Sequence, residues 1–267
     1  MTTSPANVPY HAFRCDDNLA VGVWALVGNA SRPLSQFVGN TMVSSAQRVS
    51  FQSAGRTLSG TLVRPASASG SSPALVFVHG WRSSQQSYVG RAESLAEEGF
   101  IGLTFDLHGH GESETDGSAL DSTRTEDFLA DVVAAYDFLV LQEDVDANRI
   151  GVVAASLGAY LGVWATTRRR VRWLALRAPA DHPRDKLGSA LDALSGFSGD
   201  LLVVESELDR VIPHEMVMNY TRALADDSRV TYEVIRGAQH ELSEPEWRAR
   251  FVEILRQWFR SRFVAAN

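Results

Sequence analysis

Ser156 is the residue whose setting most clearly points to chemistry. It lies in IGVVAASLGAYLG, where an apolar run typical of a buried strand passes through small residues into a helix-like stretch. A serine at a sharp strand-to-helix turn is exposed above the sheet edge and can act as a nucleophile. Ala154 and Gly158 supply the small residues that such a crowded turn needs. The usual form is G-x-S-x-G, so Ala154 departs from it by one methyl, and a plain small-residue turn is the alternative interpretation.

A serine hydroxyl is a weak nucleophile and needs a base within hydrogen-bond reach. The candidate base is His240 in RGAQHELS, which follows the last predicted strand, downstream of both the serine and an acidic residue. The competing interpretation is a polar residue in a loop that leads into the final helix. Because the carboxyl ends of parallel strands meet at one edge of a sheet, we expect His240 to reach the serine.

The base needs a carboxylate that fixes its tautomer and stabilises the imidazolium. The segment LLVVESELDRVIP offers three, namely Glu205, Glu207 and Asp209. Glu205 lies at the end of the predicted strand and Glu207 is typical of a turn residue. We favour Asp209, because VIP directly after it can anchor the loop and begin the next helix.

Backbone amides are the expected donors to an oxyanion. Leu157 follows the serine and opens a helix, where free N–H groups and the helix dipole favour anions. The second donor is expected from the HGW segment after the strand ALVFV. There Gly80 permits a tight turn and the N–H of Trp81 would point into the site, although a plain glycine turn would leave the same pattern.

Five motifs occur in order along the chain: VFVHGW, FDLHGHGES, AASLG, ELDRVIP and GAQH. Together they resemble the α/β-hydrolase superfamily, in its esterase and prolyl-oligopeptidase-like (dienelactone-hydrolase-like) branches, from about residue 48 to the C-terminus. The resemblance implies a triad in the order nucleophile, acid, histidine and no cofactor or metal. The implied site residues are Ser156, Asp209 and His240, with Trp81 and Leu157 as oxyanion donors.

Two positions depart from the pattern of these relatives. Ala154 replaces the commoner glycine, and His108 in FDLHGHGES stands where relatives often carry arginine. Any ion pair made by that arginine is therefore in question. We interpret His108 and His110 as structural loop residues rather than catalytic ones.

The elements that must position these residues alternate between strand and helix. This order predicts an α/β fold of three layers, with a mostly parallel sheet between helices and a minimal or absent cap. Only 181–199 is available for a cap, enough for one short helix within about 185–194. The predicted strands are 49–53, 57–63, 74–78, 100–105, 149–155, 171–178, 201–205 and 230–235. The predicted helices are 87–98, 126–142, 157–167, 216–224 and a final one that begins near 245.

The domain organisation predicted from composition is an N-terminal arm over 1–45 and a catalytic domain over 46–267. The arm is rich in Ser, Thr, Asn and Pro with one apolar island at 19–27. A disordered tail, a packed arm and a dimerisation element remain open for it, and so does homo-oligomerisation.

Composition excludes several classes of protein. With 45% hydrophobic and 21% charged residues, a net charge of −7 and a pI near 5.5, the chain is typical of a globular protein without a nucleic-acid-binding face. The single cysteine, Cys15, can form no intramolecular disulfide and belongs to no metal-ligand spacing. No apolar run approaches the roughly 20 residues that span a bilayer. We expect a cytoplasmic protein that acts on a small molecule.

The function predicted from these residues is a serine carboxylesterase that works through an acyl-enzyme on small or exposed ester groups. Peptidase, thioesterase and acyltransferase activities use the same machinery and remain alternatives. A non-catalytic binding protein on the same fold is the alternative from another class.

Overall fold

One eight-stranded sheet organises the residues that the computed structural model describes, which are 44–66, 70–115, 117, 120, 124–224 and 226–264. The N-terminal arm predicted over 1–45 lies outside them except for its last two residues. The strands are β1 (Ser45–Ser53), β2 (Arg56–Arg64), β3 (Ser72–Val78), β4 (Ile101–Phe105), β5 (Val145–Ala155), β6 (Trp173–Arg177), β7 (Asp200–Ser206) and β8 (Val230–Ile235). The helices are α1 (Gln86–Ala96), α2 (Thr125–Val140), α3 (Leu157–Thr166), α4 (Ala190–Leu194), α5 (His214–Arg222) and α6 (Pro245–Val264).

The strand order is β1-β2-β4-β3-β5-β6-β7-β8. β1 and β2 form an antiparallel hairpin, β2 pairs antiparallel with β4, and every pair from β4 to β8 is parallel. From β3 the chain crosses first to β4 on one side and then to β5 on the other. A sheet of this kind binds ligands in the crevice at such a switch point, at the carboxyl ends of the strands.

Alternation along the central strands divides the core into two layers. In β3, Ala74, Val76 and Val78 pack on the side of α2, α3, α4 and α5, whereas Leu75 and Phe77 pack on the side of α1 and α6. Both sides are fully buried, which explains why β3 is one continuous apolar run rather than an alternation of polar and apolar residues. The predicted three-layer α/β class is confirmed.

β1 begins four residues before its predicted start, and the boundaries also differ at the start of β3 and of β5. Both begin earlier than predicted, because Ser72 pairs with Val145 and donates its N–H to Asp144 O at 2.8 Å. The polar segment DANR at 146–149 has no strand-like pattern, and it lies in an irregularity between the Ser72–Val145 and Ala74–Ile150 pairs. Between β6 and β7 the described chain carries one short helix, α4, so little covers the carboxyl end of the sheet there.

Candidate active site

Ser156 occupies the turn between β5 and α3, with its backbone at φ 54° and ψ −122°. A non-glycine residue in such a sparsely populated conformation costs roughly 1–3 kcal/mol. Hydrogen bonds fix the turn on both sides: Ser156 N donates to Arg177 O at 3.1 Å, and Ser156 O accepts from Ala159 N at 3.0 Å. The sheet and the helix together hold the hydroxyl at the carboxyl end of β5.

Gly158 allows helix α3 to approach the loop after β3. A Cβ added there would lie 2.4 Å from Val78 O and 2.6 Å from His79 O, and both of these are backbone atoms that cannot swing away. At Gly80 an added Cβ would lie 3.2 Å from the Ser156 Cβ. The two glycines therefore let three backbone segments meet around the serine.

Ala154 is accommodated by a glycine on the neighbouring helix. Its side chain is fully buried, and a Cβ added to Gly162 of α3 would lie 3.4 Å from the Ala154 Cβ and 3.1 Å from Val152 Cγ1. The space that the helix leaves at Gly162 is filled in part by the Ala154 methyl. The departure from G-x-S-x-G is thus a matter of packing behind the turn.

We expect Gly158→Ala to lower both stability and activity, because its methyl would overlap two carbonyl groups and displace the turn. Overpacking of this kind costs about 1–3 kcal/mol or more. Gly90→Ala on α1 is the matched control, since an added Cβ there meets nothing within 4 Å. The control should gain about 0.5–1 kcal/mol from the lower flexibility of the unfolded chain. Urea denaturation measures both, and equal unfolding free energies for the two variants would contradict the close approach.

The structure brings His240 and Asp209 together with Ser156. His240 Nε2 lies 3.2 Å from Ser156 Oγ, and His240 Nδ1 lies 2.7 Å from Asp209 Oδ2. The carboxylate accepts the Nδ1 proton, so Nε2 is left as the acceptor that faces the serine hydroxyl. The chain order of the three residues and this geometry are those of a nucleophile, a base and the acid that orients the base.

The Asp209 carboxylate is held by its own loop as well as by the histidine. Its other oxygen, Oδ1, accepts from Val211 N at 2.7 Å and from Ile212 N at 2.9 Å. Burial alone would raise the pKa of this carboxyl, but the hydrogen bonds from His240 and the two amides outweigh it and hold the pKa below its ordinary value. Asp209 is therefore ionised at neutral pH and can stabilise an imidazolium.

The other two acidic residues considered for this role face different partners. Glu205 accepts from His214 Nδ1 at 2.9 Å and from the hydroxyl of Tyr232. Glu207 pairs with Arg236 and accepts from Gly237 N at 2.7 Å. Only register and turn geometry separate the three, because all lie within five residues at the carboxyl end of β7.

Trp81 and Leu157 both line cavities that reach Ser156. The Leu157 N–H belongs to the first turn of α3, where helix amides have no acceptor within the helix. Among the described residues no acceptor is found for the Trp81 N–H either. Both amides are thus available to an oxyanion on the Ser156 side of the sheet.

His79 ties the loop that carries Trp81 to the loop after β4. Its Nδ1 lies 2.8 Å from Gly80 O, and its Nε2 accepts from Leu107 N at 3.0 Å. One nitrogen must donate and the other must accept, so the ring is neutral. Burial lowers the pKa of His79 from 6.5 to about 4.

Acid should therefore destabilise the protein through His79. The unfolded chain binds a proton on this ring below pH 6.5, whereas the folded one resists it until about pH 4. From this residue alone we expect the free energy of unfolding to fall by about 2 kcal/mol between pH 7 and pH 5. His79→Gln should show a shallower dependence on pH in urea denaturation, and His182→Gln at an exposed histidine should match wild type. Equal slopes in all three proteins would refute a buried neutral His79.

The two histidines of FDLHGHGES contact α2 and the loop after β3. His108 Nδ1 lies 2.6 Å from Asp131 Oδ2 on α2, and the same oxygen accepts from His108 N at 2.9 Å. His110 accepts from Arg82 N at 3.3 Å. A buried His–Asp pair thus stands at the position where the sequence departs from the pattern of the family it resembles.

Two cavities meet at Ser156. The larger, of about 570 Å³, lies over α3 and α5 and is bordered by the apolar side chains of Phe128, Ile212 and Met216. The smaller, of about 300 Å³, extends toward α1 and α6 and is bordered by His240. A bound ester can therefore extend in two directions from the hydroxyl.

Arg91 of α1 and Arg177 at the end of β6 also border the smaller cavity, and sequence reasoning did not identify either. The available signal was Arg177 in WLALRAP, a charge at the end of a fully buried strand. Arg91 had no such signal, because an amphipathic helix carries arginine on its solvent face as readily as beside a cavity.

The described part of the chain shows neither a metal-binding cluster nor a membrane-spanning helix. No cluster of three or more His, Cys, Asp or Glu side chains there could hold a metal ion. None of its helices is both long enough and apolar enough to cross a bilayer.

Comparison with known proteins gives a family model described as "Serine aminopeptidase, S33", which matches residues 71–199. This segment contains Ser156 but neither Asp209 nor His240. Among curated proteins, the chain is 26% identical over 166 residues to a probable 2-oxo-3-(5-oxofuran-2-ylidene)propanoate lactonase of Bradyrhizobium, covering 57% of this chain and 66% of that protein. The chain spans between about half and two thirds of the length of the curated relatives it matches, 53% in one case and 67% in another.

Two solved structures show the same fold. Est1E from Butyrivibrio proteoclasticus, solved with ferulic acid bound, has a TM-score of 0.70 at 16% identity and covers 81% of this chain and 99% of that one. A dienelactone hydrolase from Anabaena variabilis has a TM-score of 0.66 at 22% identity and covers 81% of this chain and 97% of that one.

Proposed function

We propose that this chain, which belongs to the α/β-hydrolase superfamily, cleaves carboxylic esters through an acyl-enzyme on Ser156. The observation that carries the proposal is the continuous set of contacts from Ser156 Oγ to His240 and from His240 to Asp209, at 3.2 Å and 2.7 Å. A serine so placed has the base it needs, and the base has a fixed tautomer.

In the proposed reaction Ser156 Oγ attacks the ester carbonyl while His240 Nε2 takes the hydroxyl proton. The N–H groups of Trp81 and Leu157 stabilise the oxyanion. His240 then gives the proton to the departing alcohol, which leaves an acyl group on Ser156. Water activated by His240 attacks this acyl group, and the acid is released with the serine restored.

Peptide cleavage is the second candidate, favoured by the description of the matching family model and by Asp181 and Asp185 beside the larger cavity, where a substrate ammonium group could bind. Both carboxylates are already engaged by the chain: Asp181 accepts from Ala190 N at 2.7 Å, and Asp185 accepts from Leu187 N at 3.0 Å and from Thr125. Because both carboxylates already accept hydrogen bonds from the chain, we propose ester cleavage ahead of peptide cleavage.

A fluorophosphonate probe and a substrate panel test the proposal. We expect the probe to label Ser156 in the folded protein, and p-nitrophenyl esters to turn over faster with short acyl chains than with long ones. Aminoacyl p-nitroanilides test the second candidate under the same conditions. Failure of the probe to label folded protein would refute the serine mechanism, and faster turnover of the anilides would replace the esterase by a peptidase.

A further inference from the structure

The smaller cavity beside Ser156 carries an unusual charge environment. Arg91 and Arg177 both border it, together with the nucleophile and His240. Arginine guanidinium groups remain charged in proteins, so burying them calls for hydrogen bonds and a counter-ion. The contacts of Arg91 and Arg177 show which hydrogen bonds and counter-ions the chain itself provides.

Within the described part of the chain, Arg91 has aromatic neighbours but no acidic one. Its guanidinium lies 5.0 Å from the ring centre of Tyr88 and 5.3 Å from that of Phe251. Its Nε is buried without a hydrogen-bond partner, and no ion pair to Arg91 is found among the described residues. Burial lowers the pKa of Arg91, as expected for a cation removed from water.

Arg177 is 8% exposed, and its hydrogen-bond acceptors among the described residues are all neutral groups. Its Nη1 donates to His240 O at 2.7 Å and to Ser206 Oγ at 3.2 Å, while its other N–H groups have no acceptor in the described chain. Two carboxylates act on it electrostatically, Asp209 and Glu241. Asp209 is committed to His240, and Glu241 is a solvent-exposed residue at the border of the cavity.

We propose that this cavity binds a carboxylate carried by the ester substrate, with Arg91 as its principal partner and Arg177 as the second cation. The inference rests on the proposed esterase function, whose substrate class it narrows to esters that bear a free acid on a short arm. A planar carboxylate matches a guanidinium with paired, charge-assisted hydrogen bonds. A volume of about 300 Å³ suits an arm of a few carbons rather than a long chain.

The test compares esters that differ only in charge. Monomethyl glutarate against dimethyl glutarate places the acid on the acyl side, and 3-acetoxypropionate against its methyl ester places it on the alcohol side. Hydrolysis is followed in a pH-stat at low ionic strength, and the readout is the ratio of kcat/KM for the charged ester to that for its neutral partner. We expect this ratio to favour the charged ester in at least one pair.

Arg91→Met should lower that ratio roughly 10- to 100-fold, since it removes a charge-assisted hydrogen bond while keeping an apolar stem. Arg91→Lys keeps the positive charge, so its ratio should lie between those of Arg91→Met and the wild type. Arg168→Met, at an exposed arginine that borders neither cavity, is the matched control and should leave the ratio at the wild-type value. A ratio unaffected by Arg91→Met in correctly folded protein would overturn the proposal.

A binding experiment separates this proposal from the esterase itself. In the Ser156→Ala background, which cannot turn over, glutarate should bind by isothermal titration calorimetry and lose about tenfold or more in affinity on adding Arg91→Met. Binding with that loss supports the carboxylate site even if every ester fails. If neutral esters turn over but glutarate does not bind, the esterase proposal stands and the proposed carboxylate site is overturned.

Discussion

Replacing Ser156 by alanine is expected to lower kcat for p-nitrophenyl acetate by about 10⁴- to 10⁶-fold, the range seen when a triad nucleophile is removed. The variant keeps the loop that carries Trp81, the Leu157 amide and both cavities, so substrate can still bind. It loses the oxygen that forms the acyl-enzyme. Alanine already occurs at positive φ in this chain at Ala54 and Ala178, so the turn should survive the substitution.

The comparison variant is Ser94→Ala, whose hydroxyl donates to Gly90 O at 2.8 Å on α1 and touches neither cavity. It should retain wild-type turnover. Circular dichroism and thermal unfolding establish that both variants are folded, and initial rates measure the effect. Full ester turnover by folded Ser156→Ala protein would assign the chemistry to another residue.

Asp209→Asn should lower kcat by about 10³- to 10⁴-fold through the tautomer of His240. The amides of Val211 and Ile212 point at Oδ1, so they will hold the asparagine with its oxygen toward them and its NH₂ toward the imidazole. His240 Nδ1 must then accept, and the proton moves to Nε2. A protonated Nε2 cannot take the proton of Ser156.

Glu205→Gln provides the discriminating control, because Glu205 is buried at the end of the same strand but faces His214. We expect less than a tenfold change in kcat for it. Nitrogen NMR of His240 should show the proton on Nδ1 in wild type and on Nε2 in Asp209→Asn. A larger loss from Glu205→Gln than from Asp209→Asn would transfer the orienting role to Glu205.

The sequence predicted the sheet well where a strand is buried on both faces. The run ALVFV in β3 and the run LLVV in β7 have no polar interruption, and the strand assignment follows from that alone. Prediction was poorer at the start of β5, where 146–149 is polar and interrupts the pairing with β3 between Val145 and Ile150. The strand propensity of a residue carries no information about a pairing partner 70 or more positions away, such as Ser72 for Val145.

The sequence predicted the three central residues of the candidate site and their chain order, but only part of the residues around them. Ser156, Asp209 and His240 each follow a predicted strand, and the rule that parallel strands end at one sheet edge brings them together. Arg91 could not be found in this way, because its role depends on which face of α1 turns toward Phe251 of α6. That contact joins residues 160 positions apart and leaves no local pattern.

The backbone at Ser156 has a consequence for how this chain responds to selection. At φ 54° and ψ −122° a glycine would be relaxed where the serine is not. Screening a library of variants for thermal stability alone would therefore favour loss of the one side chain on which the proposed reaction depends. Keeping the serine in such a library would require selection for turnover as well as for thermal stability.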